Sequence, residues 1–530
     1  MNNVIVSPHY LSTSIGSKVF EMGGNAIDAA IATNLIQGIV APETCGIGGD
    51  LFALIWIPGE KEPHYLDSAG FAGSGVNPDD LKNFNTIPLN HPMSVTVPGA
   101  IAGWHELSQK FGKIDINDIL NLGIELCHNG FEISEELHQS LTHHLDELSG
   151  QPSGYPFYRN DQALDVGYKI RRVQLGRTLE LLANNGLMSF YSGEIGKAIS
   201  ESVDNVLTLN DLESFTSTWR KPLHSNIYGF DAWTTQPPTQ GYLTLSSLKG
   251  YEQLDGGDFD MHKLIESYRA FASDRDNITY DYKENLDKFP GLNQGYIDAI
   301  ISKVDPNISK TFNAPSPRGG GTAYMTTVDK DGLGVSLIQS NFYGIGSRIG
   351  VDSYGFFLHN RGCGFNLQKN HPNFLQPGNK PLHTLSPTLW TKEGELEFII
   401  GTRGGRYQPQ LLIQTILPYI RDEQDFESIM NQPRWTIDYF QNNTESKLKF
   451  EEISSELQTQ LKNKGHNIEV LNKFLKGNGP ISVIYKNIDH LKERLTLELE
   501  QSQYLVVLNF FIVLFFNNLF TLVVIFFTFR

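Results

Sequence analysis

The segment DPNISKTFNAPSPRGGG, Asp305 to Gly321, divides this chain into two unlike parts. It is polar, rich in Pro, Gly and Ser, and reads as a flexible, exposed linker. Ahead of it, helical and strand-like segments alternate. AIAGWHELSQKFGK, LGRTLELLANNGLMSFY and HKLIESYRAFASDRD carry helical periodicity. Behind it the pattern turns to strands, in TAYMTTVD, GVSLIQSN, YGFFLHN and ELEFIIGT. A helix-rich half, a hinge and a strand-rich half limit the chain to a mixed helix-and-sheet architecture.

Two early stretches predict deep burial. In GGNAIDAAIATNLIQGIV, Asn25 is placed to cap a helix, and Ala26, Ala29, Ala30 and Ala32 allow it to pack closely. CGIGGDLFALIW follows and reads as a glycine turn into a buried strand. It is neither GxGxxG nor a P-loop, so it is assigned no phosphate. With 59 acidic against 42 basic residues the net charge is −17, and no basic stripe is present, which excludes nucleic-acid binding as the expected function. Cys45, Cys127 and Cys363 lie far apart, outside any CxxC pair, so neither a disulfide framework nor a cysteine zinc site is expected. Asn277, Asn307 and Asn442 open glycosylation sequons, which matter only in a secreted chain. The N-terminus lacks a basic and apolar leader pattern, so no signal peptide is read. Residues 504–529 form an uncharged apolar tail, long enough to span a membrane as a helix. The same composition fits buried strands or a misassigned terminal exon, and the expected location is the cytoplasm or a tail-anchored membrane position.

Three glycines precede Thr322. A threonine hydroxyl is a poor nucleophile without a base, but an N-terminal threonine supplies its own α-amino group. That group titrates at about 7.7–8.0, close to working pH. Reaching this state requires cleavage of the Gly321–Thr322 bond, and flexible glycines let the chain adopt the geometry for attack. A Gly-rich turn leading into an ordinary strand fits the same residues.

Dispersed motifs tilt the choice. GGNAIDAAIATNLIQGIVAPETCGIGGDLFALIW, SVTVPGAIAGW, TTQPPTQGYLTL, GGTAYMTTVDKDGLGVSLIQSN, QPGNKPLHTLSPTL and NQPRW occur in the order seen in the γ-glutamyltranspeptidase family of N-terminal nucleophile hydrolases, which this sequence resembles to about Ile484. The resemblance implies a four-layer α-β-β-α sandwich of antiparallel sheets (class α/β or α+β). It implies a precursor cut between Gly321 and Thr322 into regions 1–321 and 322–485, with 486–530 a divergent extension. Thr322 matches the nucleophile and N-terminal base. Ser340 matches a hydroxyl that orients it, with Asn341 sharing that work. Gly404 and Gly405 match the oxyanion-hole pair, whose backbone N–H groups are worth several kcal/mol against a developing negative charge. His383 and Thr384 fall where the family contacts the substrate carboxylate; a packed histidine fits His383 equally.

The resemblance breaks at the substrate residues. YLDSAGFAG carries Ala69 where γ-glutamyl enzymes use an arginine. LHNRGCGFN carries Arg361 and Gly364 where they use a polar and an acidic residue. Arg361 fits either a carboxylate on a different acyl group or an ion pair. This pattern is similar to the branch of glutathione-hydrolase-like proteins and cephalosporin acylases. The expected reaction is cleavage of a γ-glutamyl amide such as glutathione through an acyl-enzyme on Thr322, released to water or an amine, with no metal or organic cofactor. The alternatives are an acylase for another dicarboxylic amide and an inactive, membrane-tethered relative. The expected partners are that substrate and the chain's own second fragment, with membrane contact only through the tail.

Overall fold

The computed structural model describes residues 2–283, 285–313, 315, 320–439, 446–471, 479–487, 490–495, 512–513 and 524–525. Strand β1 (Val4–Val6) leads toward helix α1 (Ala26–Val40), which is buried along its whole length. Asn25 caps α1 as expected: its side-chain oxygen accepts the N–H groups of Ile27 and Asp28 at 2.9 and 3.1 Å, and Asp28 accepts the Asn25 N–H at 2.9 Å. This reciprocal box satisfies donors that a helix start leaves open.

Strands β2 (Asp50–Trp56) and β3 (His64–Ser68) follow, then helices α2 (Ala100–Phe111) and α3 (Val173–Asn185). Three short strands, β4 (Thr218–Arg220), β5 (Leu223–Ile227) and β6 (Phe230–Thr234), precede helices α4 (Tyr242–Leu254) and α5 (Met261–Ala272). Beyond the hinge come β7 (Gly321–Val328), β8 (Gly334–Phe342), β9 (Thr388–Lys392), β10 (Glu395–Thr402) and helix α6 (Gln408–Asp422). The chain continues with β11 (Trp435–Tyr439), β12 (Ser446–Phe450), β13 (Ile468–Val470), β14 (Ile481–Asn487) and β15 (His490–Leu495).

Two six-stranded sheets result, with strand orders β1-β7-β8-β2-β3-β4 and β15-β14-β10-β9-β6-β5. Every neighbouring pair in both is antiparallel. The two sheets face each other across a core that includes Phe52, Trp56, Tyr324, Trp233, Leu389 and Ile399. The outer face of the first sheet buries Leu51, Ala53, Met325 and Leu337 against α1 and α2, in a core that α3 extends. The outer face of the second buries Trp390, Phe398 and Ile400 against α4 and α6, with α5 packed on α4. The layer order is therefore α-β-β-α. Both faces of β2 are covered, which explains its unbroken apolar run.

Three features of the sequence reading change. The first sheet takes four strands from before the hinge and two from after it, so the helix-rich and strand-rich halves are interwoven rather than separate. The hinge is not wholly exposed: Phe312 is buried, and Lys310 N–H donates to Glu266 at 2.8 Å. Residues 490–495, in the stretch expected to diverge, pair with β14 and complete the sheet edge. The apolar tail 504–529 lies outside the described residues except for Ile512–Val513 and Val524–Ile525, which pair as antiparallel strands. No described helix is long and apolar enough to cross a membrane. Gly319 and the sequon at Asn442 also lie outside the described residues.

Candidate active site

Thr322 sits at an irregularity in the β7–β8 ladder. Gly321 pairs with Phe342, but Ala323 pairs with Gln339, so Ser340 and Asn341 together oppose Thr322. Such a bulge re-aims side chains that regular pleating would send to opposite faces. Phe342 takes up the distortion with φ of +78°, a left-handed value uncommon for a bulky residue.

The bulge turns Ser340 onto the Gly321–Thr322 peptide. Thr322 Oγ1 donates to Ser340 Oγ at 3.1 Å, and Ser340 Oγ donates to the Gly321 carbonyl at 2.8 Å. The same oxygen accepts the Phe342 N–H at 2.8 Å, which fills its hydrogen-bonding capacity. Thr322 and Ser340 are both buried. Asn341 faces elsewhere: its side-chain nitrogen donates to the Pro42 carbonyl at 3.1 Å.

The glycines ahead of Thr322 answer a packing need. A Cβ on Gly320 would lie 2.0 Å from the Phe342 carbonyl oxygen, and one on Gly321 would lie 2.1 Å from that of Glu43. Neither position has room for a side chain. Close backbone approach, more than looseness, is why glycine stands there. The Glu43 side chain is also buried. Burial and then the nearby Glu136 push its carboxyl up to about 8, against the opposing pull of Arg403 and Arg172. Arg403 itself pairs with Glu136 at 2.5 Å.

Arg403 leads into Gly404 and Gly405, whose φ values of +123° and +56° lie in the region that favours glycine. They start the short turn Gly405–Tyr407 that enters α6. The buried Gln240 ties this turn to the loop carrying His383 and Thr384. Its carboxamide nitrogen donates to the carbonyls of Thr384 and Gly405, both at 2.9 Å, while Arg275 donates to its oxygen at 3.2 Å.

The predicted substrate residues converge on an acid that the sequence reading passed over. Asp50 begins β2 directly opposite Ser340. Its Oδ2 lies 3.5 Å from His359 Nδ1, 3.6 Å from Arg361 Nε and 3.9 Å from His383 Nε2, and all four side chains are fully buried. Burial pushes the Asp50 carboxyl up, while His359 and Arg361 oppose it. Burial, with Arg361 second, holds His383 well below the ordinary imidazole range. Among the described residues neither ring nitrogen of His383 has a hydrogen-bond partner, and Thr384 Oγ1 has none either. Arg361 is in a buried ion pair with Asp50, and its guanidinium stacks 4.2 Å over the Phe342 ring, beside the bulge. Ala69 is buried at the neighbouring turn, where the Gly70 N–H donates to Asp50 at 3.3 Å.

Asp50, His359, Gln240 and Glu43 are the residues of this centre that sequence reasoning missed. The one available signal was an acid at the mouth of a continuous apolar strand, a position where a carboxylate survives only with buried partners.

Chemically, the arrangement offers a buried threonine hydroxyl next to the Gly321–Thr322 peptide, a second hydroxyl that donates to the carbonyl of that peptide, and a fully buried cluster of Asp50, His359, Arg361 and His383 close by. The gamma-glutamyltranspeptidase family model matches residues 12–491. The glutathione hydrolase-like YwrD proenzyme of Bacillus subtilis is 29% identical over 484 residues, covering 89% of this chain and 92% of that protein. The oxamate amidohydrolase proenzyme of Klebsiella pneumoniae is 28% identical, covering 93% and 96%. The crystal structure of cephalosporin acylase from Bacillus halodurans superposes with a TM-score of 0.83 at 26% identity, over 92% of each chain. A shared α-β-β-α sandwich and a family match along most of its length make this chain a member of the γ-glutamyltranspeptidase family of N-terminal nucleophile hydrolases.

Proposed function

We propose that the chain cuts itself between Gly321 and Thr322 and then transfers γ-glutamyl groups through an ester on Thr322. The observation that carries this reading is the chain of bonds from Thr322 Oγ1 to Ser340 Oγ to the Gly321 carbonyl. In the first step Thr322 Oγ attacks the Gly321 carbonyl carbon, which Ser340 polarises. The C–N bond breaks, and the Thr322 nitrogen leaves with the hydroxyl proton. Water then hydrolyses the resulting ester, freeing the Gly321 carboxylate and the Thr322 α-amino group.

The amino group next takes the Thr322 hydroxyl proton as the oxygen attacks a substrate amide. The leaving amine receives that proton. Gly404 and Gly405 N–H groups stabilise the oxyanion, a contribution of roughly 3 to 4 kcal/mol per donor in comparable sites. Water or an amine then releases the acyl group. Asp50 and Arg361 supply the opposite charges that a glutamyl ammonium and carboxylate require, and Thr384 Oγ1 adds a free hydrogen-bonding atom.

A second reading, an acylase for a dicarboxylic amide, is favoured by one observation. Ala69 stands where an arginine is expected, Arg361 is the buried cation beside Asp50 and His383, and Lys380 is already paired with Asp67 at 2.9 Å. A single cation in place of the expected polar and acidic pair suits a carboxylate without an ammonium. One experiment orders these readings. On a denaturing gel the protein should separate into two fragments split at Thr322, and Thr322→Ala should stay a single chain. A wild-type chain that stays intact after prolonged incubation sinks the mechanism. With cut protein in hand, γ-glutamyl and glutaryl anilides are compared; turnover of the glutaryl compound alone moves the assignment to the acylase.

A further inference from the structure

A separate cluster lies on α5 and the turn before β13. His262 and Glu266, one helical turn apart on α5, meet His466 from beyond the hinge. One ligand atom from each lies within 4.8 Å of the others, and all three residues are buried. None belongs to the Asp50–Thr322 centre, and nothing in the proposed reaction uses them.

Their hydrogen bonds set the proton positions. The Asp305 carbonyl can only accept, so His262 Nε2, 2.9 Å away, carries the proton. In the Nε2–H tautomer of a neutral ring, His262 Nδ1 offers a lone pair, 2.7 Å from His466 Nε2. Glu266 is oriented from outside: Oε1 accepts Arg269 Nη1 at 2.5 Å and Ser309 Oγ at 3.2 Å, and Oε2 accepts the Lys310 N–H at 2.8 Å. A bare imidazole nitrogen whose opposite N–H is held by a carbonyl, beside a carboxylate held by outer donors, is how metal-binding side chains are arranged. A surface groove lined by Asp258, Asp260, Lys263 and Lys464 among others reaches His262.

The geometry points to a divalent transition-metal site, best matched to Zn²⁺, formed by His262 Nδ1, His466 Nε2 and Glu266, with water as a fourth ligand. Two histidines and a glutamate are an established zinc donor set. Occupancy requires the His466 ring proton to move to Nδ1. It also requires the two imidazole nitrogens to open to roughly 3.3 Å, as Zn–N bonds of about 2.0–2.1 Å in a tetrahedron demand. This site involves none of the cysteines. Bound there, the ion would join α5 to the 464–466 turn and anchor Asp305, Ser309 and Lys310 at the start of the hinge. Its role is that of a staple across the two sides of the hinge.

The test uses the full chain after chelator treatment and dialysis. Titration with Co²⁺ should give visible d–d bands of a four-coordinate ion saturating at one equivalent and erased by Zn²⁺. Excess Zn²⁺ should raise the thermal midpoint. Glu266→Gln, which keeps the side-chain shape, and His466→Ala should each weaken binding at least about tenfold. Absence of the cobalt bands in wild type overturns the site, and so does Zn²⁺ binding of equal strength in wild type and Glu266→Gln. Neither outcome depends on whether Thr322 is active.

Discussion

Glu43 shows how one side chain can register pH at a place where the backbone is closely packed. Its carbonyl oxygen occupies the space a side chain at Gly321 would need, and its carboxyl is raised from 4.5 to about 8. A folded-state value above the unfolded one favours the protonated form in the native protein. The stabilisation is full below about 4.5 and is lost as pH rises toward 8, on the order of a few kcal/mol for a shift of this size. Wild-type protein should therefore unfold at progressively lower denaturant as pH rises from 5 to 8, and Glu43→Gln should lose less over the same range. Parallel pH dependences in the two proteins would remove Glu43 as the cause. At this scale the sequence was unevenly informative. Thr322 and Ser340 stand in one recognisable block, and the structure joins their hydroxyls. Asp50, His359 and His383 are scattered over more than three hundred residues, and nothing local announces that they share one buried charge.

Between elements, the β7–β8 bulge and Gln240 solve the same problem, which is to hold separate segments at fixed spacing in the interior. Gln240 bonds two backbone carbonyls from loops that follow different strands. Gln240→Ala leaves both carbonyls buried without that donor, at a cost of about 1–3 kcal/mol for each unsatisfied group. The variant should show a lower unfolding midpoint and slower turnover while still yielding two fragments; unchanged turnover would show that the Gly404–Gly405 turn is held by something else. Elements with strong local signals were legible: α1 from its cap and small residues, and β2, β7, β8 and β10 from their apolar runs. The bulge was not, because it depends on how two strands pair rather than on what either contains. The hinge glycines were legible as important but for an incomplete reason, since the carbonyls that crowd them come from Glu43 and Phe342.

For the molecule as a whole, the family pattern predicted the layers, while the weaving of strands from both sides of the hinge emerged only in three dimensions. The second sheet closes on β15, whose backbone covers β14. A chain ending at Gln503 should stay monodisperse in size-exclusion chromatography, whereas one ending at Asn487 bares the β14 edge and should aggregate. Equal behaviour of the two would assign β15 no protective part. The order of the first sheet has one more consequence. Strands β7 and β8 lie between β1 and β2, so material from after residue 321 is hydrogen-bonded on both flanks by material from before it. Severing the peptide at that point would not create two partners that associate and part by mass action. Their separation would demand rupture of two interior ladders, so it would proceed at the rate of unfolding. A cut molecule would keep its original halves through extreme dilution, exchange neither with its neighbours, and melt in a single transition.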